Sequence, residues 1–315
     1  MDQQVTIHGD GSNDEIAQLH HQREALMMAS QEPVTISNLK QDSLMIPVAR
    51  MTHFFPAGHP IPSGPTNQGR LRMLEAPEPN IHVIFHMLGS PTPIVPSLHW
   101  PLGDTAKHMR ESVIRAFKAV VSAIGQNSIQ GMVLLNLETG GEDGPVEFPI
   151  MMLWVIDGAK SDVRQIIQKV RTVSFENLDP VKTGFQCTHL FDSYEEVATL
   201  AKPPIDKLCR KPTTNTTGYI IRIFKVFEGD DGERFERNWL MWSGARLLYK
   251  SISPDVALRR LTLHKSGVQN GAHMYILLCD CANFLTEICK AVKAVPMLRM
   301  SLCGETGLYR PICSL

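Results

Sequence analysis

Two hydrophobic periods alternate along this chain, and the clearest helical one fills residues 98–125. Ala106, Met109, Val113, Phe117, Val120 and Ile124 recur every three or four residues, which places them on one face of a 3.6-residue helix. Lys107, Arg110, Glu111, Arg115 and Lys118 fall elsewhere, as a solvated, largely basic face requires. Asp104 or Thr105 suits the N-cap, because its side-chain oxygen can accept a bond from a free amide of the first turn. Gly125 is a natural stop, since it enters the left-handed region cheaply. A second helix is predicted over 160–173, with Val163, Ile166, Ile167 and Val170 inward, and a thinner apolar stripe predicts one over 14–30.

Strands are predicted at 70–74, 81–88, 131–137 and near 185–191, with two more inside 34–55. The run 146–156 shows no alternation and reads as a strand buried on both faces. Further on, a strand pair, 219–227 and 235–242, is joined by Glu228-Gly229-Asp230-Asp231-Gly232. Helix is expected at 254–264 and 282–295, a strand at 274–279, and a closing hairpin from 298–303 and 308–313. The fold class is α+β and β-rich. The β-α-β-β-α-β order over 81–191 fits a ferredoxin-like unit, a topology that serves many functions. No internal repeat stands out at a fixed period.

The pattern divides the chain into a flexible tail at 1–33, a domain at 34–180, a linker and basic loop at 181–216, and a basic domain at 217–315. Net charge sharpens that division. Residues 1–180 carry 13 Lys and Arg against 19 Asp and Glu, and residues 181–315 carry 18 against 13, so −6 and +5 give the total of −1. A basic C-terminal half suits an anionic surface such as lipid headgroups or nucleic acid. Seven cysteines without a secretory leader fit a reducing compartment. No run of about 18 apolar residues is present for a membrane-spanning helix.

Candidate chemistry is sparse. Gly229-Asp230-Asp231 between apolar strands has the form of a metal-binding carboxylate pair, but Asp-Gly chemistry is also common in turns. His82 and His86 have the spacing of a helical zinc pair, yet their segment has strand propensity. Cys187 with His189, and the group Cys279, Cys281 and Cys289, suit a metal, a thiol nucleophile or small core hydrophobes. There is no CxxC, no Gly-x-Ser-x-Gly and no P-loop, and no cofactor is implied.

The ordered set of an apolar strand (81–88), the turn Trp100-Pro101-Leu102-Gly103, an amphipathic helix (105–124) and a second apolar strand (131–137) resembles the matrix proteins of non-segmented negative-strand RNA viruses, filovirus and paramyxovirus members among them. Gly69-Arg70-Leu71 before the first strand and the glycine turn and aliphatic strand of 304–315 add to the likeness. The resemblance implies two related β-sandwich-like domains with flanking helices, the first for oligomerisation and the second facing the membrane. It implies a non-enzymatic virion protein, dimeric or higher, that lies peripherally on the inner face of the host plasma membrane and in the host cytoplasm, and drives assembly and budding. Anionic phospholipid, the nucleocapsid and a glycoprotein tail would be its partners.

Under that reading Lys202, Lys207, Arg210, Lys211, Arg259, Arg260, Lys290 and Lys293 would bind lipid, and Trp100 and Leu102 would form a protomer contact or pack the turn. Phe148-Pro149-Ile150-Met151 is similar to a late-budding motif, although the tail lacks Pro-Pro-x-Tyr and Pro-Thr-Ala-Pro. The alternative is a nucleic-acid-binding accessory protein, with RNA on the Lys107, Arg110, Arg115 and Lys118 face.

Overall fold

The structure, a computed structural model, describes residues 81–89, 102–125, 129–138, 146–201, 212, 214–301 and 304–315. The expected elements at 14–30, 34–55 and 70–74, the Trp100 turn and the basic loop 202–211 lie outside the described residues.

The first half runs β1 (Ile81–Gly89), α1 (Leu102–Ile124), β2 (Ile129–Asn136), β3 (Ile150–Asp157), α2 (Val163–Asn177), a single turn α3 (Pro180–Thr183) and β4 (Thr188–Ala201). The second runs β5 (Gly218–Phe227), α4 (Asp230–Arg237), α5 (Trp239–Trp242), α6 (Ala245–Ser251), a 3-10 turn (Pro254–Val256), β6 (Leu258–Gln269), β7 (Ala272–Cys281), α7 (Ile288–Val292), α8 (Val295–Ser301) and β8 (Glu305–Ser314).

All strand pairs are antiparallel and close into an eight-stranded barrel in the order β1-β3-β2-β8-β5-β7-β6-β4. Within it, β4-β1-β3-β2 and β8-β5-β7-β6 repeat one arrangement, the split β-α-β unit expected for the first half alone. The chain therefore carries that unit twice, and the two copies are sewn together at the β2–β8 and β4–β6 seams. This corrects the expectation of two sandwich domains: one barrel takes strands from both halves, and β4 lies in the stretch read as a linker. Closure removes the sheet edges that two separate sandwiches would leave.

Burial falls into three layers. The barrel interior holds residues such as Val83, Phe85, Met151, Leu153, Tyr219 and Ile221. Ile84, Leu88, Met152 and Trp154 point outward beneath α1 and α2, where Phe117 stacks on Trp154 at 4.4 Å. Ile220, Phe224, Leu261 and Leu277 point outward beneath the helices of the second half. Strands sandwiched this way are apolar on both faces, as 146–156 suggested. Gly131 sits opposite Trp154, and a Cβ there would come within 2.4 Å of the indole.

The second half departs most from expectation. Residues 235–242 form α4 and α5 and not a strand: Phe235, Trp239 and Leu240 are buried at helical spacing, while Glu233, Arg234 and Arg237 are exposed. Gly229-Asp230-Asp231 starts α4, with Gly229 at φ +88° as its N-cap. Residues 258–269 form β6, with Leu261 and Leu263 toward the helices and His264 against Phe85 inside the barrel. Helix α8 takes residues 295–301, where a strand was expected from 298. No helix among the described residues is long and apolar enough to cross a membrane.

Candidate functional site

On β1 the helix-facing residues are Ile84, His86 and Leu88, and His86 is wholly buried. β4 runs antiparallel beside β1, with Leu88 opposite His189 and His86 opposite Phe191. Residues 187, 189 and 191 share the same strand face, so this register sets Cys187 and His189 beside His86. His86 Nε2 lies 2.9 Å from His189 Nδ1, and His189 Nε2 lies 3.2 Å from Cys187 Sγ. A thiol and two imidazoles thus form a hydrogen-bonded line from a half-buried sulfur to a buried ring.

Aromatic rings fix both imidazoles. Phe175 of α2 lies parallel to His86 (5.4 Å, 5°) and stacks on His189 (4.7 Å), and Phe191 meets His86 edge-on at 5.3 Å. α2 is set by its N-cap, where the Asp162 carboxylate accepts from the amides of Arg164 (3.1 Å) and Gln165 (3.2 Å). The connection to Cys187 is pinned as well. Asp179 caps α3, Gly184 turns the chain at φ +72°, and His108 of α1 donates through Nε2 to the Thr183 carbonyl at 2.8 Å.

Burial sets the charge state. It holds His86 far below the usual imidazole range, at about 3, with neighbouring His189 adding to the effect. It also lowers the pKa of His189 and raises that of the Cys187 thiol. At neutral pH the line is therefore thiol, imidazole and imidazole, all uncharged. Passing the thiol proton to His189 Nε2 creates a thiolate and an imidazolium whose Nδ1–H points at His86 Nε2. His86 Nδ1 is buried and finds no partner among the described residues.

Arg222 of β5 occupies a helix-facing position on the first strand of the second half, between Leu277 of β7 and Thr306 of β8. It is wholly buried, donates to Thr306 Oγ1 (3.0 Å) and the Ser243 carbonyl (2.9 Å), and lies over Phe224 at 4.9 Å. Cys279 and Cys281 are sealed in the same layer, and Cys289 is exposed.

The other anticipated residues are dispersed. His82 and His86 stand about 13 Å apart along a strand and do not converge. Among the described residues no group of three or more His, Cys, Asp or Glu side chains is arranged around a metal position. Of the anticipated lipid contacts, Lys202, Lys207, Arg210 and Lys211 lie outside the described residues, as does Trp100, while Leu102 begins α1. Arg259 is paired with Asp280, Lys290 with Asp255 and Glu287, Arg260 is half-buried and Lys293 exposed. Phe148 of the budding-like motif is buried. The signal for this cluster was present in the sequence as Cys187 two residues from His189, and as one histidine in an apolar strand.

The chain belongs to the family defined by a domain of unknown function, DUF7153, whose model matches residues 128–311. A Caenorhabditis elegans protein, Uncharacterized protein C01C4.2, is 26% identical over 99 residues, which are 31% of this chain and 22% of that protein. The aligned stretch thus spans about a fifth of that relative's length. In fold the chain is similar to an anthrone oxidase-like protein of known structure, with 12% identity, a TM-score of 0.49, and coverage of 76% of this chain and 94% of that one. Nothing in these matches is viral, and the family and relative found correct the expectation of a matrix protein that assembles under a membrane and drives budding. The expectation of a non-enzyme finds no support in these matches. At that identity and TM-score the likeness transfers no activity to this chain.

Proposed function

We propose that the chain is an enzyme that acts through Cys187 as nucleophile, with His189 as its base and His86 orienting His189. The carrying observation is the continuous line of a 3.2 Å sulfur–nitrogen contact backed by a 2.9 Å nitrogen–nitrogen contact. A nucleophile, a base within reach and a third group that holds the base are the parts that covalent catalysis needs. As the sulfur attacks an electrophilic carbon, a new S–C bond forms and the thiol proton moves to His189 Nε2. The imidazolium is stabilised through its Nδ1–H by the neutral His86, then returns the proton to the leaving group. Because burial keeps the resting pair neutral, His189 works as a general base and not as half of a standing ion pair.

Alkylation by iodoacetamide, followed peptide by peptide, tests this, with the exposed Cys289 as an internal reference. A free thiol loses about tenfold in rate per pH unit below its pKa, whereas Cys187 depends on neutral His189, whose pKa lies below the usual value. The expected result is a Cys187 rate nearly flat from pH 8 to 6.5, while that of free N-acetylcysteine in the same buffers falls. His189→Gln should slow Cys187 by about 10²-fold, within the usual range for a lost general base. A Cys187 rate that follows the free thiol in pH dependence and ignores His189→Gln would overturn the proposal.

A further inference from the structure

We infer that one water molecule is held between the His86, Trp154 and Ser174 side chains and fixes the tautomer that lets His189 take the Cys187 proton; the inference rests on the Cys187 reading. The Cys187 thiol carries one proton and His189 Nε2 accepts it, so His189 holds its own on Nδ1 and donates to His86 Nε2. The single proton of neutral His86 is then on Nδ1, a buried donor with no partner among the described residues. Two more buried polar atoms without a partner among the described residues, Trp154 Nε1 and Ser174 Oγ, lie in the same helix–sheet layer. All three side chains are wholly buried.

The fold brings these three together. Ile84 is paired with Trp154 and His86 with Met152, so Trp154 is the diagonal neighbour of His86 on the helix-facing side, within reach of a large side chain. The Cε3–Cζ3 edge of the indole lies against Gly131 of β2, which leaves Nε1 on the opposite edge, away from β2; β1 is the strand on that other side of β3. From above, Ser174 is buried on α2 with Ile166 and Val170, and the next residue, Phe175, lies parallel to the His86 ring at 5.4 Å. A buried N–H without a partner is costly, and a water with about three such partners is how protein interiors commonly satisfy it. Water fits this set: its two lone pairs accept from the His86 and Trp154 N–H groups, and it donates to the Ser174 oxygen. An ion does not fit, because the layer is otherwise apolar, with Ile84, Phe117 and Met152 in it. Without the water the His86 proton would move to Nε2, where it has a partner. That shift reverses both bonds of the line and leaves His189 Nε2 protonated, unable to accept from sulfur.

A crystal structure with ordered solvent should place a water within hydrogen-bond reach of all three atoms. Nitrogen-15 spectra of histidine-labelled protein at neutral pH should show His86 and His189 both protonated at Nδ1. Ser174→Ala removes the acceptor of the water's proton; it should shift part of both residues to the Nε2 tautomer and slow Cys187 alkylation by iodoacetamide about fivefold relative to Cys289. A loss of stability alone moves neither readout in folded protein. With the Nδ1 tautomers in place, the lack of a water at the three atoms, or a Ser174→Ala protein with unchanged tautomers and rate, overturns this inference and leaves the nucleophile assignment standing. A parent protein with His86 protonated at Nε2 overturns both, since His189 Nε2 would then be a donor.

Discussion

His86 and Arg222 both lie on the helix-facing side of the first strand in two copies of one fold unit, and are put to opposite uses. The layer above His86 is two long helices, α1 and α2, the second capped by Asp162. Their apolar faces suffice to hold them down, so the polar residue beneath them is free to lead outward through His189 to a half-buried thiol. Above Arg222 lie short helices, and α4 to α7 have no side-chain cap. The α5–α6 junction leaves the Ser243 carbonyl inside the protein, and Arg222 donates to it while reaching Thr306 on β8. Gly244, at φ +78°, lets the guanidinium approach, since a Cβ there would sit 2.5 Å from Nη1. A buried polar residue becomes a tie where helix ends must be satisfied, and an opening to chemistry where they need not be.

The sharpest break in that comparison is Arg222→Ala. It removes a wholly buried side chain and orphans the Ser243 carbonyl, and should cost about 3–5 kcal/mol, read from the urea midpoint. Burial lowers the Arg222 pKa only to about 10, so the side chain stays charged at neutral pH and its loss is felt there. His86→Phe should move the midpoint at pH 7 by about 1–2 kcal/mol, less than Arg222→Ala, because the ring still packs against Phe175 and only the half-buried His189 Nδ1–H loses its partner. That variant should instead slow Cys187 alkylation, which Arg222→Ala leaves unchanged in the folded fraction. The reverse pattern would mean that the two positions are not used differently.

Lower pH separates them further. His86 titrates at about 3 when folded, against 6.5 in the unfolded chain. Between these values the unfolded chain binds a proton that the folded one refuses, so stability falls as pH drops from 6.5 toward 3, by up to about 1.4 kcal/mol per pH unit. His189, also lowered, contributes in the same direction. His86→Phe removes its share of this slope, so urea midpoints of the two proteins should draw together or cross between pH 6.5 and 5. Parallel profiles would show that His86 becomes charged in place.

Much of the first half was legible in the sequence. The period of Met109, Val113, Phe117 and Val120 marks α1, and the unbroken apolar run at 150–156 marks a strand covered on both sides. The second half was not, because Phe235, Trp239 and Trp242 carry strand propensity while short helices are held by tertiary packing, which propensity does not see. β6 was missed, although Leu261 and Leu263 alternate with Thr262 and His264, because Pro254-Asp255 just ahead of it reads as a helix start and forms only a 3-10 turn. The site was legible only in pieces: Cys187 and His189 as neighbours, His86 as an oddity 103 residues from His189. Joining them requires knowing that β1 and β4 are adjacent, and that follows from topology. For the basic residues, charge alone does not distinguish a free cation from one held by Asp280 or Asp255.

The smallest effect worth measuring is at Asp162, whose counterpart the second half lacks. Asp162→Ala leaves the amides of Arg164 and Gln165 to water and should lower the urea midpoint by about 1 kcal/mol, with Asp162→Asn recovering most of it. Fraying from a lost cap is confined to the first turn, and Phe175 sits three turns further along α2. The Cys187 rate should therefore stay within about twofold of the parent, since the stack of Phe175 on His189 and the bond from His108 to Thr183 remain. If Asp162→Ala instead slows Cys187 as much as His189→Gln, the cap and not the aromatic stack positions the base. The first half's open site would then depend on helix-end satisfaction just as Arg222 does in the second, and the contrast between the two halves would collapse into one rule.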